Sequence, residues 1–311
     1  MADAPTTSTS PAGGQSDTSP APPRRIGLVV HPSRSVDHPL RLVQEWSEEH
    51  GVEVTQVPAA YSQRQVAEEG DPGEADLIVS IGGDGTTLAA LRSAAIAHRP
   101  VMGIACGSLG ALATVSVPDV TRSLERFSRG EWQPRKFPAL SVTQPAEEEP
   151  LFALNDVAIV RAGGGQVRVS AHVDGSLYAR VAGDGAVVST PIGSSGYTIS
   201  AGGPLLATGL EGFVFTSLPK HGGFSPPLVI PAQSVLELEV GAGFGGARLE
   251  VDGQVAADRA QSLAIRWRDE VATMVSFADQ ESLSAGLRRR RIIVDSPRVA
   301  VDVAREEGCP E

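Results

Sequence analysis

The sequence predicts a doubly wound parallel α/β domain followed by an all-β, sandwich-like domain. Three observations support this. Residues 26–105 alternate short apolar runs with helical patterns, residues 140–267 replace the helices with short segments between Gly, Pro and Asp turns, and the early apolar runs lead into glycine-containing loops. Strands separated by helices pair in parallel with their following loops on one edge. Strands joined by two-residue turns pair antiparallel.

Each element follows from its local pattern. Residues 1–23 are rich in Thr, Ser, Pro, Gly and Ala with no basic start or apolar stretch, the composition of a disordered tail and not of a signal peptide. Residues 26–31 read as a buried strand, and 39–50 as an amphipathic helix with Leu40, Val43 and Trp46 on one side and Gly51 as its stop. Strands over 52–57, 77–81 and 101–105 and helices over 86–97 and 117–130 complete a domain spanning 24–136. The β-rich domain, 137–277, has expected strands at 140–142, 152–160, 167–173, 176–181, 186–189, 212–217, 235–240, 247–251 and 262–267. Asp174-Gly175 and Asp252-Gly253 are hairpin turns in this pattern. Residues 278–311 are expected to pack back on the first domain. In them Arg288-Arg289-Arg290-Arg291 reads as a solvated basic turn entering a returning strand at 292–294, with subunit contact or nucleotide attraction as alternatives.

Composition narrows the partners. With 311 residues, 41% of them hydrophobic, the chain is long enough for two cores. Its formal charge of −11 argues against an extended nucleic-acid or anionic-membrane surface, yet helix ends and local cations can still hold small phosphorylated ligands. Cys106 and Cys309 are too few for a disulfide framework and fit a reducing cytoplasm. Cys106 reads as a small buried apolar residue. No apolar run approaches the roughly 18 residues of a membrane span. Small phosphorylated ligands therefore remain possible partners, with no nucleic acid and no membrane expected.

Two segments carry the chemistry. In Gly82-Gly83-Asp84-Gly85-Thr86 the glycines leave backbone N–H groups unshielded and free to take positive φ, so that phosphate can approach while the next helix points its positive end at it. Asp84 would repel that phosphate unless it held a hydroxyl or Mg²⁺ at the reacting group. A plain strand-to-helix turn capped by Asp84 is the alternative. The second segment runs from Gly183-Asp184-Gly185 through Ser189-Thr190-Pro191-Ile192-Gly193-Ser194-Ser195-Gly196-Tyr197-Thr198-Ile199-Ser200 to Ala201-Gly202-Gly203-Pro204. Its hydroxyls and open amides suit a ribose, a carboxamide or phosphate oxygens, and Tyr197 suits a purine or nicotinamide face. An ordinary Ser/Thr-rich loop is the alternative there.

Taken together with Asn155-Asp156-Val157 between them, these motifs resemble in order and spacing the series of the NAD kinases, over roughly residues 24–277. GGDGT alone also occurs in diacylglycerol and sphingosine kinases and, in similar form, in phosphofructokinases. The Ser-Thr-Pro to Gly-Gly-Pro segment is far more specific. The resemblance implies transfer of the γ-phosphoryl group of ATP, or of polyphosphate in some members, to the 2′-hydroxyl of the adenosine ribose of NAD, giving NADP, with Mg²⁺ required. It implies Asp84 as the general base, and Gly82, Gly83, Gly85 and Thr86 as phosphate-loop residues. It further implies Asn155, Asp156 and Asp184 as dinucleotide ligands, and Ser195, Gly196, Tyr197, Thr198 and Ser200 as the lining of the adenine and nicotinamide pockets. His221 and Gln254 fall where members contact ligand, beside a structural role and a plain hairpin, respectively. A homodimer or homotetramer through the β domain is implied as well.

Several residues depart from the family pattern. Asp156 replaces Glu, Ser195-Gly196 replaces Thr-Ala, Ala105 replaces an Asn near the phosphate loop, and Pro226 stands near the place of an Arg, whose charge Lys220 is a candidate to supply. These changes put the acceptor in question more than the reaction type. A kinase for another nucleoside, dinucleotide or lipid, and a non-catalytic dinucleotide-binding regulator, remain the alternatives.

Overall fold

The structure, a computed structural model, describes residues 21–59, 64–145 and 149–299. Most of the expected N-terminal tail, and everything beyond residue 299 including Cys309, lie outside the described residues.

The first half is a parallel sheet of β1 (Arg25–Val30), β2 (Glu53–Gln56), β3 (Leu77–Gly82) and β4 (Pro100–Ala105), in the order β2-β1-β3-β4. Helices α1 (Asp37–His50), α2 (Asp84–Ala97) and α3 (Val120–Ser128) connect and cover it. Successive strand residues feed opposite faces: Leu28, Leu77 and Val79 pack with Val43, Trp46 and Leu124 of α1 and α3, while Val29 and Ile78 pack with Leu88, Leu91 and Ala94 of α2. Gly51 stops α1 at φ 67°, as its position in the pattern implies.

The second half contains β5 (Gln133–Thr143), β6 (Leu151–Ala153), β7 (Asp156–Arg161), β8 (Val167–Val173), β9 (Ser176–Gly183), β10 (Gly185–Ser189), the short α4 (Tyr197–Ser200), β11 (Gly212–Ser217), β12 (Leu228–Pro231), β13 (Leu236–Ala242), β14 (Ala247–Val251), β15 (Gln254–Ala257) and β16 (Leu263–Ser276), before α5 (Leu283–Arg289). One antiparallel sheet has the order β12-β11-β10-β7-β14-β15. It packs on β16, β13 and β8 through Val157, Val188, Phe213, Phe215 and Leu249 against Val169, Leu236, Leu263 and Ile265. Both Asp-Gly pairs sit at positive φ (Asp174 50°, Gly175 77°; Asp252 49°, Gly253 75°), the conformation that two-residue hairpin turns require.

Several expectations need correction. The strand expected at 140–142 is the eleven-residue β5, and that at 262–267 is the fourteen-residue β16. The added ends, polar and proline-containing in β5, are held by mutual pairing, and β16 also pairs in parallel with β4, so both strands run between the two halves. The single strand expected over 152–160 is interrupted at Leu154-Asn155, whose N–H groups turn to Asp252. Edge strand β12, ending in a proline, and β15 were hidden by their brevity. Residues 292–294 form no returning strand. The chain makes α5 instead, capped by Ser282, whose Oγ accepts the Ala285 N–H at 3.3 Å, and anchored by the buried Leu287. Its arginines are engaged, Arg288 by Asp295 and Arg289 by Glu281, and do not form a merely solvated cluster.

Candidate active site

Strand β3 ends at Gly82, and the chain turns through Gly83 into α2, whose first residue is Asp84. None of Gly82, Gly83 and Gly85 has positive φ, so closeness and not left-handed backbone is what the loop needs from them. A Cβ on Gly82 would overlap the Thr86 side chain, whereas the space beside Gly85 is open. A ligand can therefore lie against the start of α2, where backbone N–H groups and the helix dipole favour negative charge.

Asp84 is held from the other side. Its Oδ1 accepts the N–H groups of Leu112 (2.9 Å) and Ala113 (3.0 Å), and its Oδ2 those of Ala111 (3.0 Å) and the Arg290 guanidinium (3.3 Å). These amides belong to the loop after β4, and a Cβ on Gly110 would overlap the carboxylate. Arg135 of β5 stands behind this loop, donating to the Ala111 carbonyl at 3.2 Å. Burial lowers its pKa and the Asp84 charge opposes that shift.

A cleft of about 520 Å³ opens in front of Asp84, with Arg34, Thr86 and Arg92 on the α/β side and Asp252, Gly253 and Gln254 on the β side. Asp252 ties the walls together. Its side chain is fully buried, and it accepts the N–H groups of Leu154 (3.0 Å), Asn155 (2.7 Å) and Asp156 (3.2 Å) and pairs with Arg92 at 2.5 Å. Thus the hairpin tip positions the Asn155-Asp156 backbone while presenting Gln254 to the cleft. Asn155 Oδ1 is buried with no hydrogen-bond partner among the described residues, an acceptor that a bound hydroxyl would satisfy.

The Ser/Thr-rich segment docks on the same residue, since the Asn155 carbonyl accepts the Thr190 N–H at 2.9 Å and a Cβ on Gly193 would overlap it. Beyond it, Tyr197 is half-exposed. Burial raises its phenol pKa, and the charges of Glu250, Asp156 and Asp184 add to the rise against Arg248. Burial, then the Asp252 and Glu250 charges, push Asp156 up to about 7. Asp184 is paired with Arg161 at 2.8 Å.

Known proteins show the same arrangement of domains. Residues 26–132 match the ATP-NAD kinase N-terminal domain, and residues 154–271 match the ATP-NAD kinase C-terminal domain. An NAD kinase of Clostridium beijerinckii is 31% identical over 237 residues, covering 74% of this chain and 82% of the relative. The chain belongs to the NAD kinase family. Another NAD kinase, from Thermoplasma volcanium, is 32% identical over 226 residues, 70% of this chain and 79% of its own. Among solved structures, an NAD kinase from Archaeoglobus fulgidus in complex with ATP superposes with a TM-score of 0.69 at 25% identity, covering 87% of this chain and all of that one. Yeast NADH kinase complexed with NADH shares the fold, with a TM-score of 0.72 at 18% identity over 88% of this chain and 89% of that chain.

Within this NAD kinase fold the expected site residues divide. Gly83, Asp84, Gly85, Thr86 and Gln254 line one cleft, and Asn155 and Asp156 are tied to it through Asp252. Ser195, whose Oγ donates to the Ile192 carbonyl, stays half-buried, and Gly196 and Ser200 are exposed beside Tyr197. Thr198 does not line an open surface: it is fully buried and its hydroxyl meets Ser189 Oγ at 2.6 Å, so it holds the segment from within. His221 is exposed and joins the fold through its N–H to the Ala182 carbonyl. Lys220 supplies no free cation, because its ammonium donates to Ser217 Oγ, Ser225 O and Ser225 Oγ and closes its own loop. Ala105 is buried and its N–H donates to the Val115 carbonyl. Sequence reasoning overlooked Asp252, Arg92 and Arg290. The Asp-Gly pair announced only a turn, and nothing local couples an arginine to a carboxylate 160 or 206 residues away.

Proposed function

We propose that this chain is an NAD kinase that transfers the γ-phosphoryl group of ATP to the 2′-hydroxyl of the adenosine ribose of NAD. The observation that carries the proposal is Asp84, a carboxylate at the start of α2, fixed by three loop amides and open to the cleft whose far wall is the Asp252 hairpin. In the transfer the hydroxyl proton moves to Asp84, the ribose oxygen bonds to phosphorus, and the bond from phosphorus to the ADP oxygen breaks. Alignment and charge neutralisation supply most of the acceleration for such chemistry. The start of α2 and Arg34 would take the phosphates, and Asn155, Asp156, Asp184 and Tyr197 the dinucleotide. Among the described residues no three His, Cys, Asp or Glu side chains cluster as a metal cage. In this proposal Mg²⁺ enters with the nucleotide, as the ion of a magnesium–triphosphate substrate, since Mg²⁺ is commonly held by phosphates with few protein ligands.

The same proposal includes a homodimer or homotetramer in the cytoplasm. Phe224 and Phe244, 91% and 93% exposed on loops of the β half, favour such assembly. Among the described residues no helix is long and apolar enough to cross a membrane.

Incubating the protein with Mg²⁺, NAD and either ATP or polyphosphate, and measuring NADP, tests the activity and its donor. Asp84→Asn is expected to lower kcat by about 10²- to 10⁴-fold. Absence of NADP from the wild type would remove the proposal, and undiminished turnover by Asp84→Asn would remove the assigned base.

A further inference from the structure

A carboxylate has about four acceptor sites, two on each oxygen. In this structure Asp84 uses four: Leu112 and Ala113 on Oδ1, Ala111 and Arg290 on Oδ2. A substrate hydroxyl therefore finds a free acceptor site on this carboxylate only where one partner gives way. The three amides are backbone groups of one short loop, and Gly110 is pressed too closely on the carboxylate for that loop to carry a side chain there. Arg290 is different. It reaches Asp84 from just beyond α5, through a flexible side chain still 23% exposed, and at 3.3 Å it makes the longest of the four contacts.

We infer that Arg290 is the exchangeable partner of Asp84, and that when the acceptor hydroxyl takes its place on Oδ2 its guanidinium passes to the γ-phosphoryl group of the donor. The inference rests on the kinase chemistry proposed above and adds to it a cation delivered from the C-terminal arm. Distances support the exchange. A hydroxyl on Oδ2 lies about 2.7 Å from it, and the phosphorus it attacks about 3–3.5 Å further on. Added to the 3.3 Å between Oδ2 and the guanidinium, these lengths place that phosphorus at most about 10 Å from the guanidinium nitrogen as it stands, a span that a reorienting arginine side chain covers. The arm is docked for such a role: Arg289 donates to the Leu109 carbonyl at 2.9 Å, and Gln280 donates to Thr114 Oγ1 at 3.1 Å. Both contacts fall on the loop that holds Asp84. In the step itself the proton goes to Asp84 Oδ2, the bond between ribose oxygen and phosphorus forms, and ADP leaves. Arg290 exchanges hydrogen bonds only, trading a carboxylate for the charge that develops on the equatorial phosphoryl oxygens.

The test compares Arg290→Gln, Arg290→Lys and Arg288→Gln in NADP formation from ATP and NAD, with thermal melts on each protein. Arg288 lies on α5 and pairs with Asp295 in solvent, so Arg288→Gln removes an equal charge away from the site. Arg290→Gln is expected to lose about 10²-fold in kcat, the scale for one donor to a developing oxyanion, with the NAD KM changed less than about threefold. Arg290→Lys is expected to recover part of that loss, and Arg288→Gln to match the wild type. Arg290→Gln and Arg290→Lys both within threefold of wild-type kcat would overturn the inference, as would a faster Arg290→Gln, which would make the arginine purely inhibitory. An equal loss in Arg288→Gln would assign the effect to general charge. A wild type that makes no NADP overturns the kinase proposal itself, an outcome distinct from an active wild type indifferent to Arg290.

Discussion

Asp252→Asn removes one charge from the hairpin tip and leaves the backbone undisturbed, since Asn tolerates the left-handed φ of 49° as well as Asp does. The native carboxylate satisfies three N–H groups and the Arg92 guanidinium from a side chain with 0% exposure. Asn keeps one acceptor oxygen and turns an NH₂ toward donors on the other side, leaving two of the four partners facing a donor. Breaking one side of a buried pair costs about 3–5 kcal/mol. Arg92 is 28% exposed and water can take up part of its charge, which places the cost near the low end, about 3 kcal/mol. At roughly 2–4 °C per kcal/mol for a chain of this order, the melting temperature should fall by about 6–12 °C. A circular dichroism melt at neutral pH measures it. Kinetically, the loosened Leu154–Asp156 backbone should raise the NAD KM more than the ATP KM. A fall below about 2 °C would refute the view that Asp252 is the clasp between hairpin and site.

Two further outcomes follow from single atoms. Gly110→Ala places a Cβ on the Asp84 carboxylate. Displacing that group by about 1 Å should cost about 10²-fold in kcat with the circular dichroism spectrum retained, and a near-normal kcat would show that the loop yields. Asp156 is pushed from 3.8 to about 7 by burial and by the Asp252 and Glu250 charges, so the folded state keeps a proton that the unfolded chain releases between those values. Stability from this group is complete below pH 3.8, declines as pH rises toward 7, and is lost above it. Asp156→Asn should therefore raise the melting temperature at about pH 8 and leave it unchanged at about pH 4; equal shifts at both would exclude this titration as the cause.

Local pattern by itself determined much of this protein. The helical repeat of Leu40, Val43 and Trp46, the buried runs at β1, β3 and β4, and the Asp-Gly turns each depend on neighbours a few residues away, so the elements and their two-part order were legible in the chain. The motifs marked Asp84 and the Asn155-Asp156 pair for the same reason. Only the tertiary structure decided how these residues are held. The full length of β5 and β16 comes from their mutual pairing, and for β16 also from parallel pairing with β4, partners distant in the sequence that no local period reveals. Thr198 faces inward because the hydroxyl of Ser189, on the preceding strand, meets it there. Asp252 and Arg290 act on partners about one hundred to two hundred residues away, and a carboxylate's choice of partner is set by distance and burial, which no local pattern encodes.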